Sequence, residues 1–340
     1  MDSIVGYRLI TKYGIGNISD YWGNVYSDTE ERISSYLKEL DRVADLFNEI
    51  NIPLVALKNS GIARAIYPYP GLVPMGDVDT LVRRSDFIDA HNILINNGYK
   101  IISPDKYHVA DVNSGYRTGG NEYCTVLGDK KELRFELQWR SVEGRFLRPD
   151  QEPDGDELID RSISVKGSKL RILSPEDNLL QVCLHTAKHS FVRAPGFRLH
   201  LDADRIINGQ NIDWDIFASK VISHQVMIPT FFSLSIPKVL FNTNIPDTIL
   251  SKIKPGSMQK VILTNWIKRV GIFNPHEKKF GKIGFLFWNA ILYDSPFGLL
   301  RSIFPNKNYM MDRYLFSKSY YLFYYYIKRL VELIFYRVKT

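Results

Sequence analysis

Asp77 and Asp79 stand two residues apart in an otherwise apolar run, Asp77-Val78-Asp79-Thr80-Leu81-Val82, and this pair constrains the fold more than any other feature of the chain. Side chains alternate along a strand, so both carboxylates face one side while Val78 faces the other. Two carboxylates held side by side repel unless a cation lies between them, and hard oxygen donors of this kind suit Mg²⁺ or Mn²⁺. Two acids on one solvent-facing strand are also common without a cation, so the weight comes from what surrounds the pair.

Upstream, Pro53 precedes the apolar run Leu54-Val55-Ala56-Leu57, which reads as a short buried strand. Lys58-Asn59-Ser60-Gly61 then turns into a brief helix, Ile62 to Tyr67. A small-residue turn at a helix N-terminus offers N–H groups and a positive dipole end to an anion. Lys58 and Ser60 add a cation and a hydroxyl there. A loop rich in Pro and Gly (Pro68, Pro70, Gly71, Pro74, Gly76) delivers the chain to the acidic strand. Further on, Glu136 sits mid-strand in Leu133-Arg134-Phe135-Glu136-Leu137-Gln138-Trp139, sharing its face with Arg134 and Gln138. A third carboxylate beside the pair would complete a two-metal site; the plain alternative is a cross-strand ion-pair partner. A phosphate cradle followed by a metal-binding strand suits phosphoryl or nucleotidyl transfer.

The rest of the chain supplies the frame. Ile33, Leu37, Leu40, Val43, Ala44 and Phe47 recur at helical spacing, and Ser27-Asp28-Thr29-Glu30 reads as a capping box, so a helix is expected over 29–49. A helix capped by Ser85 and closed at Gly98 follows, then strands at 99–102, 122–127 and 133–139, with a Gly128-Asp129 hairpin between the last two. After residue 150 the pattern turns helical, from Ser174-Pro175-Glu176-Asp177 onward. Breaks are expected at Pro195-Gly196, Pro229, Pro237 and Pro255-Gly256. The expected organisation is an α/β (α+β) domain over residues 1–165 and a helical, basic and aromatic-rich domain over 166–340.

The stretch LKNSGIARAIYPYPGLVPMGDVDTLV, with Glu136-Leu137-Gln138-Trp139 downstream, resembles the uncharacterised bacterial nucleotidyltransferases of the DNA-polymerase-β-like superfamily. The likeness continues through Leu173-Ser174-Pro175-Glu176-Asp177, Leu184 to His189, Ile212-Asp213-Trp214 and the tail from Arg313-Tyr314 to Leu330. It implies a polymerase-β-like domain with a small mixed sheet, followed by a helical domain. It also implies Mg²⁺- or Mn²⁺-dependent transfer of a nucleoside monophosphate, AMP from ATP in the first place, to an acceptor. By the same resemblance Asp77 and Asp79 are metal ligands and Glu136 is the third carboxylate. Lys58, Asn59, Ser60 and Gly61 then lie by the nucleotide, and Lys188 contacts phosphate. Two positions depart from the family pattern: Asn59 replaces a usual glycine, and Val73 a frequent arginine. They favour the alternative of a catalytically degenerate module that binds an anionic partner or a membrane surface. Small molecule, sugar, peptide, protein and tRNA all stay open as acceptors.

Other candidates carry plainer readings beside them. His185 and His189 are spaced like a zinc-protease pair, but Thr186 stands where the glutamate of that motif belongs. A packed histidine pair or a substrate-facing one remains. His108 reads as a loop histidine or a cleft residue. Arg193, Arg198 and His200, near Asp202 and Asp204, form either an anion site or a solvated ion-pair patch. Trp214 is expected in the helical core. Cys124 and Cys183 allow no disulfide framework and read as inert buried thiols.

Charge is uneven. From Lys260 onward there are 14 basic and 4 acidic residues and 20 of the 44 aromatics, whereas the preceding residues carry 30 basic and 33 acidic. Tyr314, Leu315, Tyr321, Leu322, Tyr325, Tyr326, Leu330, Leu333 and Ile334 are expected as the buried stripe of a long helix, which would make the aromatic excess mostly core. The other reading is a surface on which Lys328, Arg329, Arg337 and Lys339 attract lipid or nucleic-acid phosphates. No sequence-specific DNA binding is expected. Neither a signal peptide nor a run of ~20 apolar residues occurs, so a cytoplasmic protein is expected, with peripheral membrane contact open.

Overall fold

A computed structural model of the chain describes residues 2–67, 69–102, 111–128, 132–142, 147–148, 150–274 and 276–333. His108, Asp129, Ile334, Arg337 and Lys339 lie outside the described residues. The chain forms two compact units. The first comprises Met1–Ser141, Asp154–Asn178 and Asn208–Asn211; the second comprises Val142–Pro153, Leu179–Ile207 and Ile212–Thr340.

The first unit is built on a mixed seven-stranded sheet, so the fold is α/β. In chain order its elements are α1 (Asp2–Tyr13), α2 (Asp20–Glu49), β1 (Val55–Ala56), α3 (Lys58–Gly61), β2 (Asp77–Leu81), α4 (Phe87–Asn96), β3 (Lys100–Ile101), α5 (Val112–Thr118), β4 (Gly120–Val126), β5 (Glu132–Gln138), α6 (Gly155–Asp160), β6 (Ile163–Ser164) and β7 (Arg171–Ile172). The sheet order is β3-β4-β5-β2-β1-β7-β6. β2 runs antiparallel to β1 and parallel to β5, so the acidic strand lies between two neighbours with its backbone paired on both edges. Apolar side chains make this placement stable: Val55, Leu57 and Leu81 pack with Leu158, Ile159 and Leu173 in one buried cluster.

The stripe from Ile33 to Phe47 is buried along α2, as its spacing predicts. The helix begins nine residues earlier than expected, however. Ser27 to Glu30 are interior, and the Thr29 hydroxyl donates to the Val25 carbonyl at 2.7 Å, instead of taking part in a cap. A capping box needs a free helix end, and the chain from Asp20 already supplies the preceding turns. Ser85 likewise does not cap α4; the cap position is Asp86, and the Ser85 hydroxyl donates to the Asp86 carboxylate at 3.0 Å. Gly98 does take the expected left-handed backbone, φ +85°.

The second unit is helical. α7 (Pro175–Lys188) opens in the first unit and continues here, followed by α8 (Phe197–Gly209), α9 (Trp214–Ser223), α10 (Met227–Phe241), α11 (Asp247–Lys252), α12 (Ser257–Val270), α13 (Lys282–Ile291), α14 (Pro296–Ile303), α15 (Lys307–Tyr314) and α16 (Leu322–Val331). α10 runs through both Pro229 and Pro237, where breaks were expected. Pro229 sits in the first turn, where its missing N–H has no helical partner to lose. Trp214 is half-buried at the start of α9, edge-on to Phe217 at 5.8 Å. Trp266 stacks on Phe280 at 4.3 Å and lies 4.0 Å from Trp288, and this group holds part of the aromatic excess in the core.

The tail departs from expectation. α15 ends at Leu315 in the left-handed region, φ 54°, and α16 starts only at Leu322, so no single helix carries the proposed stripe. None of its described members is fully buried. Instead Phe323 is 75% exposed and Tyr324 60%. Arg329, expected as a surface cation, is buried and donates to the Ser302 carbonyl at 2.9 Å. Among the described residues no helix is long and apolar enough to cross a membrane.

The His200 and Asp202 region is a buried pair of opposing titrations rather than a solvated patch. Both side chains are buried, as is Arg205, which lies 3.3 Å from the Asp202 carboxylate. Burial pushes the His200 imidazole down to about 4, while its bond to the Phe191 carbonyl opposes this. Burial pushes the Asp202 carboxyl up to about 6 against the pull of Arg205 and Arg198. Unfolded His200 takes a proton below about 6.5 that the folded chain refuses, so stability is lost as pH falls from there toward 4. Folded Asp202 keeps a proton that the unfolded chain releases above about 3.9, so stability is gained as pH falls from 6 toward 4. The two offset each other. Asp202→Asn is therefore expected to lose about 3 kcal/mol more than the parent chain between pH 6 and 4, measured by urea unfolding across that range; parallel profiles would reject this assignment.

Candidate active site

The site begins with backbone pairing. β2 and β5 are parallel and in register, with Asp79 opposite Glu136 and Asp77 opposite Arg134. Residues of one strand alternate, and directly paired residues share a face. Asp77, Asp79 and Glu136 therefore stand on one side of the sheet, and one carboxylate oxygen from each lies within 4.8 Å of the others. Asp77 is exposed, Asp79 is buried and Glu136 is intermediate, so the cluster opens to solvent at the Asp77 end.

The turn after β1 is fastened beneath it. The Asp79 N–H donates to the Ser60 hydroxyl at 2.9 Å, and the Leu57 N–H donates to the Asp79 carbonyl at 3.0 Å. Ser60 is fully buried; its hydroxyl positions the acidic strand. The N–H groups of Ser60 and Gly61 both donate to the Leu57 carbonyl. Those two amides are thus committed within the turn. Gly61 is favoured by packing, since a Cβ there would press to 3.0 Å from the Ala56 carbonyl oxygen. The α3 turn runs on into a π-helical turn, Ile62–Ile66, tied to α2 by Arg64, whose Nε donates to Asp41 at 3.0 Å.

Lys58 enters this site with backbone φ 48°, a left-handed conformation that is rare for a residue with a Cβ. Its ammonium reaches Asp79 at 2.5 Å and Glu136 at 3.7 Å. Burial opposes the Lys58 charge, but Asp79, Glu136 and Asp77 outweigh it and hold its pKa above the ordinary lysine value. Gln138 Nε2 also donates to Asp79 Oδ1, at 3.2 Å. Gln138 was not among the sequence candidates, although its place two residues after Glu136 on one strand face was the available signal. Three carboxylates against one ammonium leave a net −2, the charge and donor type that suit a single divalent cation.

The remaining candidates are not members of the acidic cluster. Asn59 is half-buried within α3. Val73 is fully buried, so the position where the resemblance led to a frequent arginine is a core position in this chain. Lys188, His185 and His189 belong to the second unit and are not members of the acidic cluster. Lys188 is exposed at the end of α7, and the two histidine rings meet edge-on at 4.8 Å. Cys183 is buried, which raises its thiol pKa, and Cys124 is half-buried.

No curated protein sequence matches the chain significantly. An antigenic nucleotidyltransferase-like protein from Paracoccidioides brasiliensis is similar in structure over 65% of this chain and 93% of its own, at 13% identity and a TM-score of 0.39. The sequence profile of the uncharacterised nucleotidyltransferase family matches residues 5–242. The chain belongs to that family.

Proposed function

We propose that the chain transfers a nucleoside monophosphate from an NTP, ATP in the first instance, to a hydroxyl or phosphate acceptor. The observation that carries this reading is the convergence of Asp77, Asp79 and Glu136 on two paired parallel strands. All three donors are hard oxygens, which fits Mg²⁺ or Mn²⁺ held by Asp77 and Asp79 with Glu136 completing the set. A cation bound there would neutralise charge on the triphosphate and the attacking oxygen. Lys58, which pairs with Asp79 here, would turn to the phosphates once its carboxylate partner has another cation. Glu136 would align the acceptor oxygen and take its proton as that oxygen attacks the α-phosphorus. The bond from the α-phosphorus to the bridging oxygen breaks, and pyrophosphate leaves. Pyrophosphate release from ATP with Mg²⁺, screened over acceptor classes, tests the reading; NTP binding without release under any acceptor would instead support the degenerate module that Asn59 and Val73 favour.

A second observation supports peripheral contact with an anionic membrane. Tyr320, Phe323, Tyr324 and Ile327 are exposed at helical spacing on and just before α16, with Lys328 exposed beside them. Exposed aromatic stripes with adjacent cations fit the interfacial zone of a bilayer. The chain is expected to sediment with vesicles containing phosphatidylglycerol, and Phe323→Glu with Ile327→Glu to abolish this. Sedimentation unchanged in the double variant would reject the surface.

A further inference from the structure

The geometry points to a binding groove in the helical unit for an anionic amphiphile, a molecule with a long apolar chain and a carboxylate or phosphate head. The groove is a cavity of about 610 Å³ lined by α10, α11, α12 and the residues just after them. That volume lies inside the range of small-molecule sites, about 300–1,000 Å³. Its walls are apolar: Phe231 and Ile236 come from α10, Leu250 from α11 and Ile267 from α12.

The charge of the lining selects the ligand class. Four lysines line the cavity, Lys238, Lys254, Lys260 and Lys268, against a single carboxylate, Asp247. Asp247 is already engaged by Lys238 at 2.8 Å, and Lys238 also donates to the Ile245 carbonyl. Among the described residues Lys254, Lys260 and Lys268 have no carboxylate partner; Lys260 lies 5.4 Å from the centre of the Phe231 ring, at the junction of charge and apolar wall. The lining thus carries an uncompensated positive charge above a hydrophobic floor. A ligand head seated among the lysines would meet their charge, while its chain would cover the apolar walls. A purely apolar guest leaves the lysines unanswered, and a bare anion leaves the walls wet.

This inference stands apart from the nucleotidyl-transfer reading, since its readout is binding alone. The intact chain is titrated with dodecyl phosphate, dodecanoate, dodecyltrimethylammonium and inorganic phosphate, all below micelle formation, by isothermal calorimetry. Dodecyl phosphate or dodecanoate is expected to bind at least about tenfold more tightly than either control, and the ratio of the two assigns the head as phosphate or carboxylate. Lys254→Glu with Lys268→Glu, both at exposed positions, is expected to weaken anionic amphiphiles by about tenfold or more and to strengthen the cationic one. Thr264→Trp, which fills the trough, is expected to abolish binding with the far-ultraviolet circular dichroism unchanged. Equal binding of cationic and anionic amphiphiles, no binding of either anion, or indifference to the lysine reversal would each overturn the assignment.

Discussion

Asp77→Asn is expected to reduce pyrophosphate release by at least about a thousandfold while leaving the folded chain intact. The magnitude follows from chemistry: cation-assisted charge stabilisation is worth several kcal/mol, and each 1.36 kcal/mol is a factor of ten in rate. Asp77 is exposed at the mouth of the cluster, so its replacement removes one carboxylate without opening the core. Asp79→Asn should lose activity to the same degree and also lose stability. Asp79 is buried, ion-paired with Lys58 and bonded by Gln138, and the amide cannot replace the charge that Lys58 needs. Release rates with ATP and Mg²⁺, read beside urea unfolding of each variant, separate the two effects. Full activity in Asp77→Asn would remove the carboxylate cluster from the chemistry.

Lys58→Met is expected to give the second large effect, and in the opposite sense for metal. The substitution keeps an apolar stem and deletes the ammonium that pairs with Asp79 at 2.5 Å and Glu136 at 3.7 Å. Removing one partner of a buried pair leaves an uncompensated charge, at a cost of about 3–5 kcal/mol. In chelator, therefore, the variant should unfold at markedly lower urea than the parent chain. Millimolar Mg²⁺ should restore much of the difference, because an ion that binds only the folded site stabilises by mass action. In the parent chain Lys58 competes for the same carboxylates, so its stabilisation by Mg²⁺ should be the smaller of the two. A variant as stable as the parent in chelator would show that Lys58 does not organise the site, and indifference of the variant to Mg²⁺ would argue against a cation there.

Local periodicity made much of the scaffold legible. The alternation around Asp77 and Asp79, the stripe along α2, the Gly98 turn and the Ser174-Pro175 helix start are each decided by residues within one or two turns of one another. Where a second segment had to arrive, such reasoning failed. Ser27 to Glu30 have the composition of a cap, but the seven residues from Asp20 to Tyr26 are already helical, so no free end exists for them to cap. The tail stripe had helical spacing, yet a left-handed Leu315 divides it and leaves aromatic faces exposed. His200 and Asp202 had the composition of a surface patch and are buried.

By itself the sequence determined that two carboxylates would share a strand face, because a period of two is a property of any extended chain. It determined the charge asymmetry and the helical character of the second half for similarly local reasons. Only tertiary structure decided that β5 lies parallel to β2 with Glu136 opposite Asp79. It also turned Lys58 inward to the acids, committed the Ser60 hydroxyl to the Asp79 backbone, and gathered lysines around an apolar trough between helices. The physical reason is the same in each case. Register, burial and pairing are set by where a distant segment comes to rest, and the free energy of those contacts exists only once both segments are in place.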